Sequence, residues 1–135
     1  MELYTSTSYE LSKKLTNRYS TSFSMSSRLF DAAIRQHIYA IYGLVRIADE
    51  IVDTYTGGDQ ERRLEDLQLE TVRAIQTGYS VNPMVHCYAQ TARMYGITDD
   101  MLQPFFASMK ADIVQKTLPK RNTTHISMDR QKWLD

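Results

Sequence analysis

The chain has 135 residues, of which 16 are basic, 16 are acidic and 42% are hydrophobic. This length suits one domain, and the absence of net charge gives no electrostatic reason to expect nucleic-acid binding. No apolar run approaches the roughly 18 residues of a membrane span, and the N-terminus does not resemble a secretory signal, so we expect a cytoplasmic protein. The single cysteine, Cys87, cannot form an intrachain disulfide, and its apolar neighbours predict a buried thiol.

The spacing of apolar residues predicts an all-α protein. Three prolines and five glycines are present, and none of them except Gly43 lies between residues 31 and 55. The pattern predicts helices over residues 8–17, 31–56, 59–77, 83–95 and 99–116, with Thr7 or Ser8, Asp31, Asp59, Pro83 and Thr98 at their starts. The first helix is expected to bury Leu11 and Leu15. The central helix is expected to direct one apolar face inward, formed by Ile34, Ile38, Ile41, Tyr42, Val45, Ala48 and Val52.

Residues 18–30, RYSTSFSMSSRLF, are rich in hydroxyl side chains. Because hydroxyls compete for backbone hydrogen bonds, we expect a loop or a short irregular segment, with Phe23, Met25 and Leu29 packed on the body. Composition alone leaves two interpretations equally open. The segment is either a polar connection or a set of donors beside Arg18 and Arg28 that suits an anion.

The two histidines within the predicted helices, His37 and His86, are each interpreted as structural or solvated, since no second ligand follows at metal-binding spacing. Residues 118–125 are expected to form an exposed loop. Ser127 is expected to restart a helix that carries Trp133 and Leu134. Because the chain stops soon after that start, we expect it to be an N-terminal part of a longer protein.

Asp49 and Asp53 stand four residues apart in the central helix, so an α-helix would place them on one face about 5–6 Å apart. Like charges at this spacing destabilise a helix, and acidic groups also oppose the dipole at its C-terminal end. Arg46 and Tyr42 continue the same line. Spacing alone favours a solvated acidic end with one Arg–Asp pair; a buried face would require a positive partner.

Two separated motifs resemble the squalene/phytoene synthase family. These are YSTSF at residues 19–23 and YAIYGLVRIADEIVD at residues 39–53, and FFASMKAD at residues 105–112 is similar to the family's next helix. The resemblance implies an isoprenoid synthase helical bundle, with residues 1–135 as the N-terminal part of a single domain. It also implies that Asp49 and Asp53 bind Mg²⁺, or Mn²⁺ in its place, and that Arg46 contacts the diphosphate or orients the aspartates.

The same resemblance assigns the remaining site residues. Ser20 and Ser22 would direct hydroxyls toward the diphosphate, Phe23 would face the prenyl chain, and Tyr42 would face the pocket. The implied reaction joins two prenyl diphosphates head to head. DEIVD favours geranylgeranyl diphosphate and phytoene over a squalene-type reaction that uses farnesyl diphosphate and NADPH.

A non-catalytic relative that acts as a scaffold is the third alternative, against which the presence of both aspartates and Arg46 argues. No second Asp-x3-Asp motif follows Asp53, since Asp129 and Asp135 are six residues apart. We therefore expect the 135-residue chain to be inactive alone. Peripheral membrane contact for product release and self-association of the chain are further expectations.

Overall fold

The computed structural model describes residues 1–116. It contains α1 (Glu2–Tyr19), α2 (Thr21–Ser27), α3 (Ala32–Asp49), a π-helical turn (Glu50–Thr54) that continues α3, α4 (Gln60–Thr77), α5 (Pro83–Tyr95) and α6 (Asp99–Lys116). No strand occurs in this part of the chain, so the all-α prediction is confirmed. The predicted loop at 118–125 and the helix from Ser127, with Trp133, Leu134, Asp129 and Asp135, lie outside the described residues. Within residues 1–116, no helix is long and apolar enough to cross a membrane.

Local capping signals place the ends of α4 and α5 where the sequence predicted them. The Asn82 side chain accepts hydrogen bonds from the Met84 and Val85 amides, at 3.0 and 3.3 Å, and Pro83 is the first helical residue. Gly78 and Gly96 end the two helices with φ of 85° and 72°, a conformation that favours glycine. These boundaries follow from short-range chemistry that can be read from the sequence.

The hydrophobic core lies where the end of α3 and the π-helical turn pack against α4, α5 and α6. Its fully buried members are Leu44, Ala48, Val52, Leu64, Leu67, Ala74, Val85, Tyr88, Ala89, Ala92, Leu102, Phe106, Met109 and Ile113. Burial of such side chains stabilises a fold by about 1.5–3 kcal/mol each for the larger ones. The core therefore fixes the acidic end of α3 against three other helices.

The buried face of α1 is formed by small hydroxyl residues, so the prediction that Leu11 faces inward is wrong, whereas Leu15 is half-buried and lies near Gly43 of α3. Ser8, Ser12 and Thr16 are fully buried, whereas Leu11 is 43% exposed. Each of the three hydroxyls donates to a carbonyl of the preceding turn at 2.7–2.8 Å, which removes the cost of burying it. The helix also begins at Glu2, six residues before Ser8.

Close approach of α1 to α3 explains this choice of small residues. A Cβ atom placed on Gly43 would lie 3.5 Å from the Ser12 Cβ and 3.0 Å from the Met84 Sδ. A leucine at position 12 would have no room. The two helices run in the same direction, because Tyr9 contacts His37 early in both and Tyr19 contacts Arg46 near both ends.

Residues 21–27 form a helix, which corrects the predicted loop. The Ser20 hydroxyl caps α2 by accepting a hydrogen bond from the Phe23 amide at 3.1 Å. Ser24 donates to the Asn17 side chain at 2.5 Å, and Ser27 donates to the Ser24 carbonyl at 2.7 Å. The hydroxyls thus cap and tie down this segment. Contrary to expectation, Met25 and Leu29 do not pack on the body, and Leu29 is 87% exposed.

The inward face of α3 also differs from the prediction, because Ile34 and Ile41 are exposed. Polar and aromatic residues take their place against α1 and α5. His37 Nδ1 lies 2.7 Å from the Thr91 Oγ1 and 3.4 Å from the Tyr9 hydroxyl. The single apolar periodicity thus failed at Ile34 and Ile41 but correctly predicted the burial of Tyr42, Ala48 and Val52.

His37, His86 and Cys87 are buried, in agreement with the structural interpretation that the sequence analysis gave them. His86 is fully buried, its Nδ1 accepts from the Ser80 amide at 3.1 Å, and its Nε2 lies 2.9 Å from the Thr5 hydroxyl. Burial lowers the pKa of both His37 and His86. Cys87 is fully buried, and burial raises the pKa of its thiol to about 11, as expected for an unreactive cysteine.

Candidate functional site

The acidic segment does not continue as a regular α-helix, which corrects the sequence prediction. Asp49 is the last residue of α3, and Asp53 lies in the π-helical turn. The Tyr55 amide donates to the Glu50 carbonyl, five residues earlier, at 2.9 Å. The wider turn displaces Asp53 from the α-helical line through Asp49. Such turns inside helices are rare and occur frequently at functional sites.

Arg46 is the positive partner of the first aspartate, as the spacing suggested. Its Nη1 lies 3.0 Å from the Asp49 Oδ2, and its Nη2 donates to the Glu50 Oε1 at 2.8 Å. The side chains of Arg46 and Asp49 are only 17% and 4% exposed. Burial would lower the pKa of Arg46, but its hydrogen bond to Glu50 and the charges of Asp49 and Glu50 outweigh that effect and raise the pKa. The Arg46 guanidinium therefore remains charged and holds Asp49 in a fixed orientation.

The second aspartate has a different partner, which sequence analysis missed. The Lys116 ammonium, at the end of α6, contacts the Asp53 carboxylate and also donates to the Val52 carbonyl at 3.1 Å. The lysine and Asp53 are separated by 63 positions. No local spacing rule relates residues at that distance, so only the packing of α6 against the end of α3 could have indicated this pair.

The aromatic residues of the predicted site lie together beside this end of α3. The rings of Phe23 and Tyr42 are 4.6 Å apart between centroids and tilted by 34°. Tyr42 is buried. The Arg46 guanidinium lies 4.5 Å from the centre of the Tyr19 ring, which adds a cation–π contact. One aromatic contact thus joins α2 to α3, and a cation–π contact joins the last residue of α1 to Arg46 on α3.

The two predicted serines occupy different environments. Ser20 is buried and its hydroxyl caps α2, whereas Ser22 is exposed on the first turn of that helix. Ser20 therefore has a structural role as a helix cap, and its role toward diphosphate stays a prediction. On α6, Asp112 is buried together with Met109 and Ile113.

The donor set at the end of α3 suits a hard divalent cation that retains other ligands. In residues 1–116 no group of three or more His, Cys, Asp or Glu side chains is placed to enclose a metal ion. Mg²⁺, however, is commonly bound through one or two carboxylates, with water and phosphate oxygens completing the octahedron. Asp49 and Asp53 supply two carboxylates, a donor set that fits Mg²⁺ with water molecules as the remaining ligands.

The described residues form an all-α bundle in which a buried arginine–aspartate pair and a serine-capped helix lie beside the end of α3. Comparison with known sequences identifies the class of protein. The Squalene/phytoene synthase family model matches residues 16–129, and the chain belongs to this family.

Two curated relatives carry the same family relationship. The chain is 27% identical over 108 residues to a phytoene synthase of Arthrospira platensis, a match that covers 80% of this chain and 35% of that enzyme. It is 26% identical over 105 residues to a phytoene synthase of Pseudescherichia vulneris, covering 71% of this chain and 34% of that enzyme. The chain thus spans about a third of the length of these relatives. No solved structure gives a significant match.

Proposed function

We propose that this chain supplies the first aspartate-rich part of an enzyme that condenses two prenyl diphosphates head to head. The observation that carries the proposal is the placement of Asp49, Arg46 and Asp53 at the end of α3 in a member of this family. Geranylgeranyl diphosphate is the proposed substrate, and phytoene, formed through prephytoene diphosphate, is the proposed product. The names of both relatives support this choice over farnesyl diphosphate and a squalene-type product.

Mg²⁺ held by Asp49 and Asp53 would neutralise diphosphate charge and so stabilise the leaving group when the allylic bond ionises. Arg46 keeps the Asp49 carboxylate oriented through its contact at 3.0 Å. Phe23 and Tyr42 provide adjacent ring faces, which suit an apolar prenyl chain and a developing carbocation. Ser22, exposed at the first turn of α2, offers a hydroxyl donor to diphosphate oxygen.

The proposed activity does not extend to the isolated 135-residue chain. The sequence after Asp53 has no second Asp-x3-Asp pair, and one carboxylate pair cannot coordinate the several metal ions of a trapped diphosphate. We therefore expect the isolated 135-residue chain not to turn over prenyl diphosphates.

The test compares the isolated chain with the product of the complete reading frame that encodes it. Each purified protein is incubated with Mg²⁺ and either geranylgeranyl or farnesyl diphosphate, with and without NADPH, and the hydrocarbons are identified by mass spectrometry. We expect phytoene from the complete protein and no product from the chain. A squalene-type product would support the alternative, and turnover by the chain alone would refute its expected inactivity.

Substitution of the acidic pair tests the assignment of residues. In the complete protein, Asp49→Asn and Asp53→Asn should each lower kcat by at least about 100-fold, the scale of losing one electrostatic stabiliser of the transition state. Asp66→Asn, an exposed acid on α4, is the matched control and should leave the rate unchanged. Product formation at the wild-type rate in both variants would rule out a catalytic role for the pair, whereas the absence of product from the unsubstituted complete protein would favour the scaffold alternative.

A further inference from the structure

Lys116 makes two contacts with the segment that carries the second aspartate. Its ammonium reaches the Asp53 carboxylate and the Val52 carbonyl, the latter at 3.1 Å. Both acceptors belong to the π-helical turn, so the last residue of α6 is tied to the part of the acidic segment that departs from α-helical geometry. An ammonium group is a compact charge with three donors and can satisfy both oxygens at once.

The two aspartates differ in how firmly their cations are held. The Arg46 and Asp49 side chains are 17% and 4% exposed, and Arg46 also binds Glu50. The Lys116 and Asp53 side chains are 29% and 32% exposed. Exchange of the lysine for another cation would therefore require no opening of the core, whereas removal of Arg46 would leave a buried carboxylate.

We infer that Lys116 is a positioning residue, which holds the Asp53 carboxylate in place and releases it when a divalent cation binds. This inference rests on the proposed metal role of Asp49 and Asp53. A metal ion and an ammonium group cannot share the same carboxylate oxygen, and the repulsion between them opposes binding. Lys116 thus raises the Kd for the divalent cation, and binding of the cation detaches the end of α6 from the π-helical turn.

A second lysine on α6 provides a matched control. Lys110 donates to the Glu65 carboxylate at 3.0 Å, and this pair also connects α6 to another helix. The side chains of Lys110 and Glu65 are about half exposed, and their ion pair does not involve the acidic segment. A general effect of removing a lysine from α6 would appear in both variants, and a specific effect only at position 116.

The test measures binding of Mn²⁺ to the 135-residue chain by the electron paramagnetic resonance signal of the free ion. Lys116→Met, which keeps the apolar stem and removes the charge, should lower the Kd by about two- to fivefold, the factor that corresponds to one exposed ion pair. Lys116→Arg, which keeps the positive charge, should bind Mn²⁺ with the wild-type Kd. Lys110→Met should also leave the Kd unchanged. Equal or weaker binding by Lys116→Met would overturn the inference while leaving the metal site intact.

A second measurement uses the wild-type chain and does not depend on how a variant folds. Acetylation of Lys116 by a limiting reagent, followed by peptide mass spectrometry, should accelerate when Mn²⁺ is added, while acetylation of Lys110 should not. An unchanged rate at Lys116 under saturating Mn²⁺ would overturn the inference. Absence of saturable Mn²⁺ binding, or binding that persists in Asp53→Asn, would instead refute the metal role on which the inference rests.

Discussion

Arg46 binds two carboxylates at once, and its loss should therefore be costly. Arg46→Met would remove the guanidinium that contacts the buried Asp49 and the nearby Glu50. Because a buried group that loses its hydrogen-bonding partner costs about 1–3 kcal/mol, the free energy of unfolding should fall by that amount. Urea denaturation measures it.

The control for this prediction is a surface pair of the same type. Arg73 lies 3.7 Å from Glu70, and the two side chains are 66% and 33% exposed, well above the values for Arg46 and Asp49. Exposed pairs contribute at most about 1 kcal/mol, so Arg73→Met should have the smaller effect. Equal losses for the two variants would show that burial of the Arg46 pair does not contribute to stability.

The two buried histidines should make the fold sensitive to mild acid. Burial lowers the pKa of His86 and His37 in the folded state below the ordinary value near 6.5, with the N-terminal charge adding to the effect at His86. As the pH falls through 6.5, the unfolded chain takes up protons that the folded chain does not, so stability declines. Above that pH the contribution is fully present.

Urea midpoints at pH 7.5 and pH 6.0 test this. We expect a lower midpoint at pH 6.0 for the wild-type chain and a smaller difference between the two pH values for His86→Gln. A pH-independent midpoint would contradict the prediction.

The sequence predicted only those contacts of the site that join residues close together in the chain. Arg46 precedes Asp49 by three positions, and helical geometry alone brings them together. Lys116 could not be found in the same way, since its contact depends on the packing of α6. The sequence therefore indicated that the aspartates need positive partners, but it identified only Arg46, the partner of Asp49.

At the scale of single elements, α3 is constrained by the approach of α1 to Gly43. Gly43→Val should lower the free energy of unfolding by about 1–3 kcal/mol, because its side chain would collide with Met84 and Ser12. Gly43→Ala should cost less, since the methionine side chain can move and alanine favours a helix by about 1 kcal/mol over glycine.

Thermal and urea denaturation check these two variants, with Ala33→Val on the exposed side of α3 as the control. The control introduces the same side chain without a steric conflict, and its lower helix propensity should cost less than about 1 kcal/mol. If Gly43→Val were as stable as the control, the close approach of the two helices would not limit side-chain size.

The sequence identified elements well where their ends carry local signals and poorly where tertiary packing decides. α4, α5 and α6 begin and end as predicted, because Asn82, Gly78 and Gly96 act within one turn. The buried face of α1 consists of small hydroxyl residues whose burial depends on their proximity to α3. Periodicity of large apolar residues carries no information about such a face.

At the scale of the whole molecule, several large apolar side chains lie exposed on separate elements, namely Leu3, Leu29, Val81 and Met94. Exposed apolar surface favours association, so the isolated chain should self-associate as its concentration rises.

Sedimentation velocity over a range of concentrations measures this self-association. Leu3→Ser with Leu29→Ser should reduce association, whereas Arg62→Ser, an exposed polar control on α4, should not. A monomer at all concentrations would contradict the prediction.

The π-helical turn makes the geometry of the acidic segment depend on residue count as well as residue type. A π turn accommodates one more residue than an α turn over the same length of helix axis. Deletion of Ile51 would allow α-helical hydrogen bonding to resume with one residue fewer between Asp49 and Asp53, and would change the angle between their side chains. The contact of Asp53 with Lys116 and the burial of Val52 in the core depend on the present spacing. A change of length in this short segment should therefore alter the site more than most substitutions within it.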